Sequence, residues 1–312
     1  MAEQSTQIIP DPYHDEGYNI EDSASELTSL RSSITDYVYE NGRRYHAYHA
    51  GSYWGSNDEK AMDAMDIQHH VYTMMLHGKL FLAPIADDVK RVLDIGTGTG
   101  KWAVDFGDLY PSATVIGTDL SPIQPKFVPP NVHFEVDDCT DDWLYHEPFD
   151  FIHVRGLYGC VEDWDRFYSQ AFKHLTPGGY IQQIETGIIH HSDDGSFERS
   201  EMDEAGQLSV QAAKVWGKSF DTVLEMKDKM RKAGFVDINE HKFKLPVGPW
   251  PKDRRLKTLG KYQRLVWEES LEMWVMMLWT NFLGMTREEV EVRLAQVRRD
   301  LYDPRIHAYQ DV

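Results

Sequence analysis

One run of sequence decides the fold of this chain: Val92-Leu93-Asp94-Ile95-Gly96-Thr97-Gly98-Thr99-Gly100-Lys101-Trp102. Its apolar beginning is typical of a short buried strand, and its three glycines separate that strand from a predicted helix at residues 102–109. The first amides of that helix would then lie at the carboxyl end of a parallel sheet, where open α/β sheets bind ligands. Glycine places no Cβ between the main chain and such a ligand.

Short apolar strands alternate with helices after this run, which predicts a parallel sheet covered on both faces. Further strands are predicted at residues 113–119, 132–136, 149–154 and 180–185. Residues 235–245 suit a pair of late strands added to the same sheet. The predicted fold class is therefore α/β, with a Rossmann-like sheet of seven strands, an N-terminal helical cap and extra C-terminal helices.

The pattern of the chain divides it into four segments. Residues 1–26 are interpreted as a flexible acidic tail, and residues 27–88 as the helical cap, with helical stretches at 27–53 and 58–80. Residues 89–250 form the predicted α/β core, in which a helix near 200–216 is inserted. Residues 251–312 are predicted to form a helical segment packed on that core.

Composition excludes several classes of protein. The 312 residues carry 32 Lys and Arg against 51 Asp and Glu, a formal net charge of -19, which argues against direct binding to nucleic acid or to an anionic membrane. Two cysteines, Cys139 and Cys160, exclude a disulfide framework and favour a reducing compartment. The acidic start has no apolar signal segment, and residues 271–285 are too short and polar to cross a bilayer, so a cytoplasmic protein is expected.

The glycine loop is compatible with few ligands. A Walker A loop needs Ser or Thr after Gly100-Lys101, where this chain has Trp102, and a dinucleotide fingerprint needs a glycine at position 101. The remaining pattern, Asp-x-Gly-x-Gly-x-Gly, is that of class I S-adenosylmethionine (SAM) methyltransferases, with Asp94 holding the ammonium group of SAM directly or through water. Taken alone, the loop is also consistent with a tight strand-to-helix turn that binds nothing.

Acidic residues at successive strand ends favour the SAM hypothesis over that alternative. Asp119 ends the second strand, where a carboxylate accepts hydrogen bonds from ribose hydroxyls, and Asp137 follows the third strand, where the adenine ring would lie. Each acid by itself is also consistent with a helix cap or a loop residue. The predicted cofactor-binding residues are Asp94, Gly96, Thr97, Gly98, Gly100, Asp119, Leu120, Asp137, Asp138, Cys139 and Arg155. No metal site is predicted.

With these features in place, the sequence resembles the fungal LaeA-like methyltransferases of secondary metabolism, a class I SAM-dependent family. The resemblance covers about residues 27–195, through the glycine loop and the motifs at 39–46, 78–84, 117–125, 129–132, 149–155 and 177–180. It implies the fold and the cofactor. The family includes small-molecule methyltransferases of biosynthetic gene clusters and nuclear regulators, so the acceptor is left open. Residues 156–160, which should face the acceptor, depart from the family pattern.

Methyl transfer to a phenol or a carboxylic acid calls for a general base, whereas a thiolate needs none. The candidate catalytic residues are His69 and His70, on the helix before the sheet, and Glu185, at the end of the fifth strand. His153 lies in mid-strand and is interpreted as a core histidine, and the pair His190-His191 as part of an exposed loop.

Aromatic residues are the candidates for an acceptor pocket, and packing is their alternative role. The candidate substrate residues are Tyr45, Tyr53, Trp54 and Tyr158. The predicted function is methyl transfer from SAM to O, N or S of a small, largely apolar secondary metabolite. The alternatives are a LaeA-like nuclear regulator acting through protein partners or protein methylation, and a protein that uses SAM in another reaction. A homodimer is left open, with residues 274–279 as core or interface.

Overall fold

The computed structural model of the protein describes residues 34–312. The predicted flexible tail at 1–26 and the beginning of the predicted cap lie outside the described residues. The described chain starts with an antiparallel hairpin, β1 (Val38–Glu40) and β2 (Arg43–Tyr45). The prediction of a helix through this part was wrong, because Asn41 and Gly42, with φ of 51° and 77°, form the two-residue turn that joins twisted antiparallel strands.

The hairpin is fixed to the first long helix, α1 (Glu59–Met75), by one carboxylate. Asp58 is the N-cap of α1, where its side chain accepts from the amide of Ala61 at 3.0 Å. Its second oxygen is 2.6 Å from Nε of Arg43 in β2, so the same residue caps the helix and pairs with a buried guanidinium. The hairpin and α1 together stand where the sequence predicted a helical cap.

The central sheet contains five parallel strands in the order β5-β4-β3-β6-β7. Their bounds are β3 (Arg91–Ile95), β4 (Thr114–Asp119), β5 (Val132–Val136), β6 (Phe149–Arg155) and β7 (Leu175–Ile184). Because the order reverses on the two sides of β3, the crevice at the carboxyl end of β3 is a topological switch point, the usual ligand site of such sheets.

Helices cover both faces of this sheet, as the alternation of side chains along β3 requires. Val92 packs with Trp102 and Phe106 of α2 (Lys101–Leu109) on one face. Leu93 packs with Phe167 of α3 (Trp164–Lys173) on the other. The predicted α/β class with a covered parallel sheet is confirmed.

The second half of the chain adds four helices to this core. They are α4 (Glu201–Trp216), α5 (Thr222–Ala233), α6 (Arg254–Leu283) and α7 (Arg287–Tyr302). Helix α4 is the inserted helix predicted near 200–216. Helices α4, α6 and α7 share one apolar cluster, in which Trp279 of α6 is fully buried, so the predicted core role of residues 274–279 holds there. Among residues 34–312 no helix is long and apolar enough to cross a membrane.

The central sheet has five strands rather than the predicted seven. Residues 235–243 form no strand, since Asp237 has a φ of 51° and Val236 is exposed, so the segment offers no apolar face to the edge strand β7. The next residues form β9 (Lys244–Pro246), which pairs antiparallel with β10 (Tyr309–Asp311). Strand β10 also pairs with β8 (His190–His191), so the three make a separate small sheet.

Candidate active site

A cavity of about 280 Å³ opens at the carboxyl edge of the central sheet. We call one end the loop end; it is lined by residues 95–99, 101, 118–121, 137–140 and 155–156. The other end, the helix end, is lined by residues 53–54, 157–158, 188, 190, 218 and 220 and by one side of the segment 263–275. The volume is close to the roughly 300 Å³ at which small-molecule sites begin.

The three glycines of the loop have positive φ, yet they serve different purposes. A Cβ on Gly96 would lie 2.6 Å from Cδ2 of Leu157, and one on Gly100 would overlap the Phe134 ring, so both positions need glycine for packing. A Cβ on Gly98 would meet only Sδ of Met65, at 3.4 Å, and Gly98 lines the cavity. The main chain at Gly98 is therefore the part of the loop that is open to a ligand.

Asp94 lies beneath the loop and does not line the cavity. Its Oδ2 accepts from Oγ1 of Thr97 at 2.6 Å, and its Oδ1 is 2.7 Å from Nδ1 of His153. Burial lowers the pKa of His153, so its ring is neutral and Nδ1–H donates to Asp94. Asp94 thus anchors the loop to β6, while the predicted core histidine His153 stacks on Trp102 with ring centroids 3.8 Å apart.

Asp119 points its carboxylate into the loop end of the cavity. Oδ2 accepts from the amide of Gly98 at 2.8 Å, and Oδ1 accepts from the amide of Ser121 at 2.9 Å. Burial disfavours the carboxylate and raises its pKa to about 6, although both hydrogen bonds oppose the shift. The remaining lone pairs face the cavity and can accept from hydroxyl groups of a ligand.

Two acids after β5 line the cavity with Leu120 and Cys139, and they differ in what they contact. Asp138 accepts from the amide and hydroxyl of Thr140 and is 2.8 Å from Nδ1 of His49, so its carboxylate is occupied within the protein. Asp137 accepts from the amide of Asp138 at 3.0 Å, and burial raises its pKa. Asp137 is the more available acceptor of the pair.

Arg155, at the end of β6, and His69 of α1 meet at the cavity wall. Nη2 of Arg155 donates to Nδ1 of His69 at 3.2 Å, because a guanidinium cannot accept. Nε2 of His69 therefore carries its proton and donates to Asp105 at 2.9 Å. Both ring nitrogens are used in this arrangement, which leaves His69 no free nitrogen to act as a base.

The other two catalytic candidates lie outside the cavity wall. His70 is exposed on a different face of α1 and contacts Tyr262 edge-on, because consecutive residues of a helix point about 100° apart, so it was wrongly grouped with His69. Glu185 is buried behind the loop after β6, where it accepts from the amides of Leu157 and Tyr158, each at 3.1 Å. Burial raises the pKa of Glu185 to about 7.

Three of the four aromatic candidates line the helix end of the cavity. Trp54 stacks on Tyr158, with centroids 5.6 Å apart, and its indole N–H donates to the carbonyl of Tyr158. Tyr53 and Phe220 complete this cluster. Tyr45 instead packs in the core and does not line the cavity, because it belongs to the buried side of β2.

Sequence reasoning missed most of the helix end. One stripe of α6 lines it, with members spaced three or four residues apart: Gln263, Val266, Trp267, Ser270, Leu271 and Trp274. Polar residues on an otherwise apolar stripe of a helix were the available signal. No sequence signal indicated that His190 is buried. His190 and His191 form strand β8, so the prediction of a loop was wrong for both, and the predicted exposure holds only for His191.

Comparison with known proteins identifies the family. A family model described as a methyltransferase domain matches residues 67–240. The methyltransferase pytC of Aspergillus terreus is 44% identical over 292 residues, 93% of this chain and 90% of that protein. The secondary metabolism regulator LAE1 of Cochliobolus heterostrophus is 34% identical, over 88% of this chain and 92% of that protein. The chain belongs to the methyltransferase family.

The resemblance to the fungal LaeA-like proteins is thereby confirmed, and the protein is a SAM-dependent methyltransferase. Among solved structures, a Haemonchus contortus phosphoethanolamine N-methyltransferase is similar with a TM-score of 0.45 and 16% identity, over 94% of this chain and 73% of that one.

Proposed function

We propose that the loop end of the cavity holds SAM and that the helix end holds a small, largely apolar methyl acceptor. Three observations at the loop end fit SAM. The main chain of Gly98 is open, the Asp119 carboxylate has free acceptor capacity, and the half-buried Arg155 donates a side-chain hydrogen bond to the imidazole of His69. A bare strip of backbone, an acceptor for ribose hydroxyls and a cation for a carboxylate are the groups that SAM requires.

In this proposal each residue has a defined task. Asp119 binds the ribose, Asp137 and the main chain near Cys139 bind the adenine, and Arg155 binds the methionine carboxylate. Asp94 and Thr97 keep the loop in shape, and His69 orients Arg155. When bound, SAM supplies an electrophilic methyl group on a sulfonium.

The observation that supports a small apolar acceptor is the continuity of the cavity from Gly98 to the aromatic cluster of Tyr53, Trp54 and Tyr158. That cluster and the α6 stripe offer flat apolar surfaces. Lys218 also lines this end, where its Nζ donates to the carbonyl of Cys160 at 3.0 Å. His69 is fully hydrogen-bonded, and His70 and Glu185 lie outside the cavity. We therefore propose that the residues lining the helix end act mainly by positioning the acceptor and excluding water.

The alternative is a regulator that methylates a protein, as the names of some relatives suggest for those proteins. The enclosed, apolar helix end favours a small molecule over a protein side chain presented on a large surface. Under the alternative we would expect a tagged copy to enter the nucleus, whereas the small-molecule proposal predicts a cytoplasmic enzyme.

Radiolabelled SAM tests the proposal directly. The full chain is incubated with phenols, alcohols, amines and thiols that carry apolar bodies, and separately with total fungal protein. We expect label in a small-molecule product, and at limiting SAM about 10- to 100-fold less of it with Asp119→Ala, while the exposed Asp142→Ala behaves as the wild type. Label found only in protein would support the regulator, and no transfer to any acceptor would refute the proposed function.

A further inference from the structure

The helix end of the cavity contains a polar niche within its apolar wall. Its members are His190 of β8, Gln263 and Trp267 of α6, and Gln310 of β10, all of which line the cavity. His190 is 5% exposed and Gln263 is 2% exposed. Buried polar groups normally have hydrogen-bond partners inside the protein, so the hydrogen bonds of these four side chains decide what the niche can bind.

Gln310 is fully engaged within the niche. Its Oε1 accepts from Nε2 of Gln263 at 2.7 Å and from the indole N–H of Trp267 at 3.3 Å. Its amide nitrogen donates to the carbonyl of Gly187 at 3.4 Å. Gln310 therefore fixes the orientation of Gln263 and Trp267, and its side chain acts only weakly on the neighbouring imidazole of His190.

His190 and Gln263 retain hydrogen-bonding capacity that is available to a ligand. Among residues 34–312, no hydrogen bond of normal geometry reaches either ring nitrogen of His190 or Oε1 of Gln263. The main chain of Ile188 and the side chain of Gln310 lie near the His190 ring and partly oppose the effect of burial on its pKa. The His190 ring packs edge-on against Trp267, with centroids 4.7 Å apart, so its orientation is fixed. Burial lowers the pKa of His190 to about 3, which keeps the ring neutral at physiological pH and makes it a weak base.

A neutral imidazole presents one donor and one acceptor, and Oε1 of Gln263 adds a second acceptor. A hydroxyl or a carboxamide matches this set, because each both donates and accepts. A carboxylate cannot donate, so the two acceptors of the niche, the unprotonated ring nitrogen of His190 and Oε1 of Gln263, would have no hydrogen bond. An ether cannot donate to them either. The unused atoms of the niche thus define a chemical class of ligand group.

Resting on the proposed function, we propose that His190 and Gln263 form a specificity site that binds a neutral hydroxyl or carboxamide group of the apolar methyl acceptor. The acceptor class is thereby narrowed from apolar molecules in general to those that carry such a group. The niche also lies near the part of the cavity wall that contains Arg155. The guanidinium of Arg155 lies over the ring of Tyr72, and the Tyr72 hydroxyl is hydrogen-bonded to Thr186. Thr186 is four residues before His190, which is at most about 13 Å along the chain.

Binding to the full chain loaded with S-adenosylhomocysteine (SAH) tests this site without requiring methyl transfer. The probes share a naphthalene body: 2-naphthol, naphthalene-2-carboxamide, 2-methoxynaphthalene and 2-naphthoate. By calorimetry we expect the first two to bind about tenfold more tightly than the last two, as one or two hydrogen bonds provide. In His190→Phe and Gln263→Leu the difference should shrink to about threefold or less, while SAH affinity stays unchanged.

Two control variants lie outside the niche. His191→Phe changes the exposed neighbour of His190, and Gln207→Leu changes an exposed glutamine on α4; both should keep the wild-type preference. Equal affinity of the wild type for the four probes, binding of none of them, or an unchanged preference in His190→Phe would overturn the proposal.

Thermal unfolding provides a second test that does not depend on the probes. If His190 is kept polar for a ligand, His190→Phe removes two unpaired polar atoms from the core and should raise the melting temperature by about 2–4 °C. A lower melting temperature would mean that the imidazole stabilises the free protein, which would overturn the proposal. The two proposals can fail separately. If 2-naphthol is preferred in a way that depends on His190, but labelled SAM reveals no methyl acceptor, the binding site is supported and the proposed function is refuted.

Discussion

The two ends of the cavity are built from different kinds of structure. The loop end is formed by neighbouring residues and strand ends, and its hydrogen bonds run largely to main-chain amides, as between Asp119 and Gly98. The helix end is formed by side chains from segments far apart in sequence, such as Trp54, Tyr158, Phe220 and Trp274. The sheet therefore fixes the first end, whereas the packing of added helices shapes the second, and the second can change without moving the first.

The largest expected effect comes from filling the loop end. A valine at position 98 would project into the cavity at a φ of 58°, so we expect Gly98→Val to weaken SAH binding about 100-fold or more. Gly178→Val is the matched control, since Gly178 has a φ of 84° with open space around it and should keep the affinity. Calorimetry with SAH that finds wild-type affinity in a folded Gly98→Val would contradict the assignment of the loop.

The next test removes the carboxylate of the loop end. Asp119→Ala loses an acceptor for ligand hydroxyls and the contact that holds the Gly98 amide, so we expect a loss on the order of 1–3 kcal/mol in SAH binding, about 10- to 100-fold. Asp142→Ala, an exposed acid outside the cavity, should bind normally. Unchanged SAH affinity in Asp119→Ala would contradict the proposal that the loop end holds SAM.

The raised pKa of Asp119 gives ligand binding at the loop end a pH dependence. Ligand hydroxyls donate to the ionised carboxylate, and below its pKa of about 6 the free protein binds a proton that must be released on binding. We expect SAH affinity to fall about tenfold from pH 7 to pH 5. Calorimetry at constant ionic strength measures this fall, and Asp119→Asn should flatten it; an equal fall in that variant would assign it to another group.

A substitution at the helix end should leave the loop end untouched. Trp274 lines the cavity and packs edge-on against Trp267, so Trp274→Ala should raise the KM for the acceptor about tenfold and leave SAH affinity within about twofold. Tyr262→Ala, on the exposed side of the same helix, is the control with no expected effect. Loss of SAH binding in Trp274→Ala would show that the two ends of the cavity are structurally coupled.

The sequence predicts these two ends unequally, for physical reasons. A strand, a glycine turn and a helix within eleven residues locate the loop end, because local backbone geometry and parallel topology determine where the strand ends meet. The helix end depends on which face of α6 turns inward. The burial of His190 likewise follows from β8 pairing with β10, more than 100 residues later. No local pattern reports such long-range packing.

Two predictions about the fold failed, for different reasons. The sheet was predicted with seven strands because residues 235–245 were assigned to it as a pair of late strands, whereas β9 pairs with β10 in a separate sheet. The hairpin at 38–45 was predicted as helix, although Asn41-Gly42 is a local turn signal that could have been recognised. The first prediction failed because of long-range strand pairing, and the second failed because a turn was not recognised.

The smallest expected effect separates His69 from His70, which sequence could not distinguish. His69 accepts from Arg155 and donates to Asp105, so His69→Ala frees a buried guanidinium and should weaken SAH binding about fivefold. His69→Gln retains an acceptor for Arg155 and should recover part of the loss. His70→Ala should bind SAH as the wild type does, because its exposed ring packs edge-on against Tyr262 and does not line the cavity. Equal effects of the two alanine variants would mean that α1 acts on the loop end through its packing rather than through the His69–Arg155 hydrogen bond.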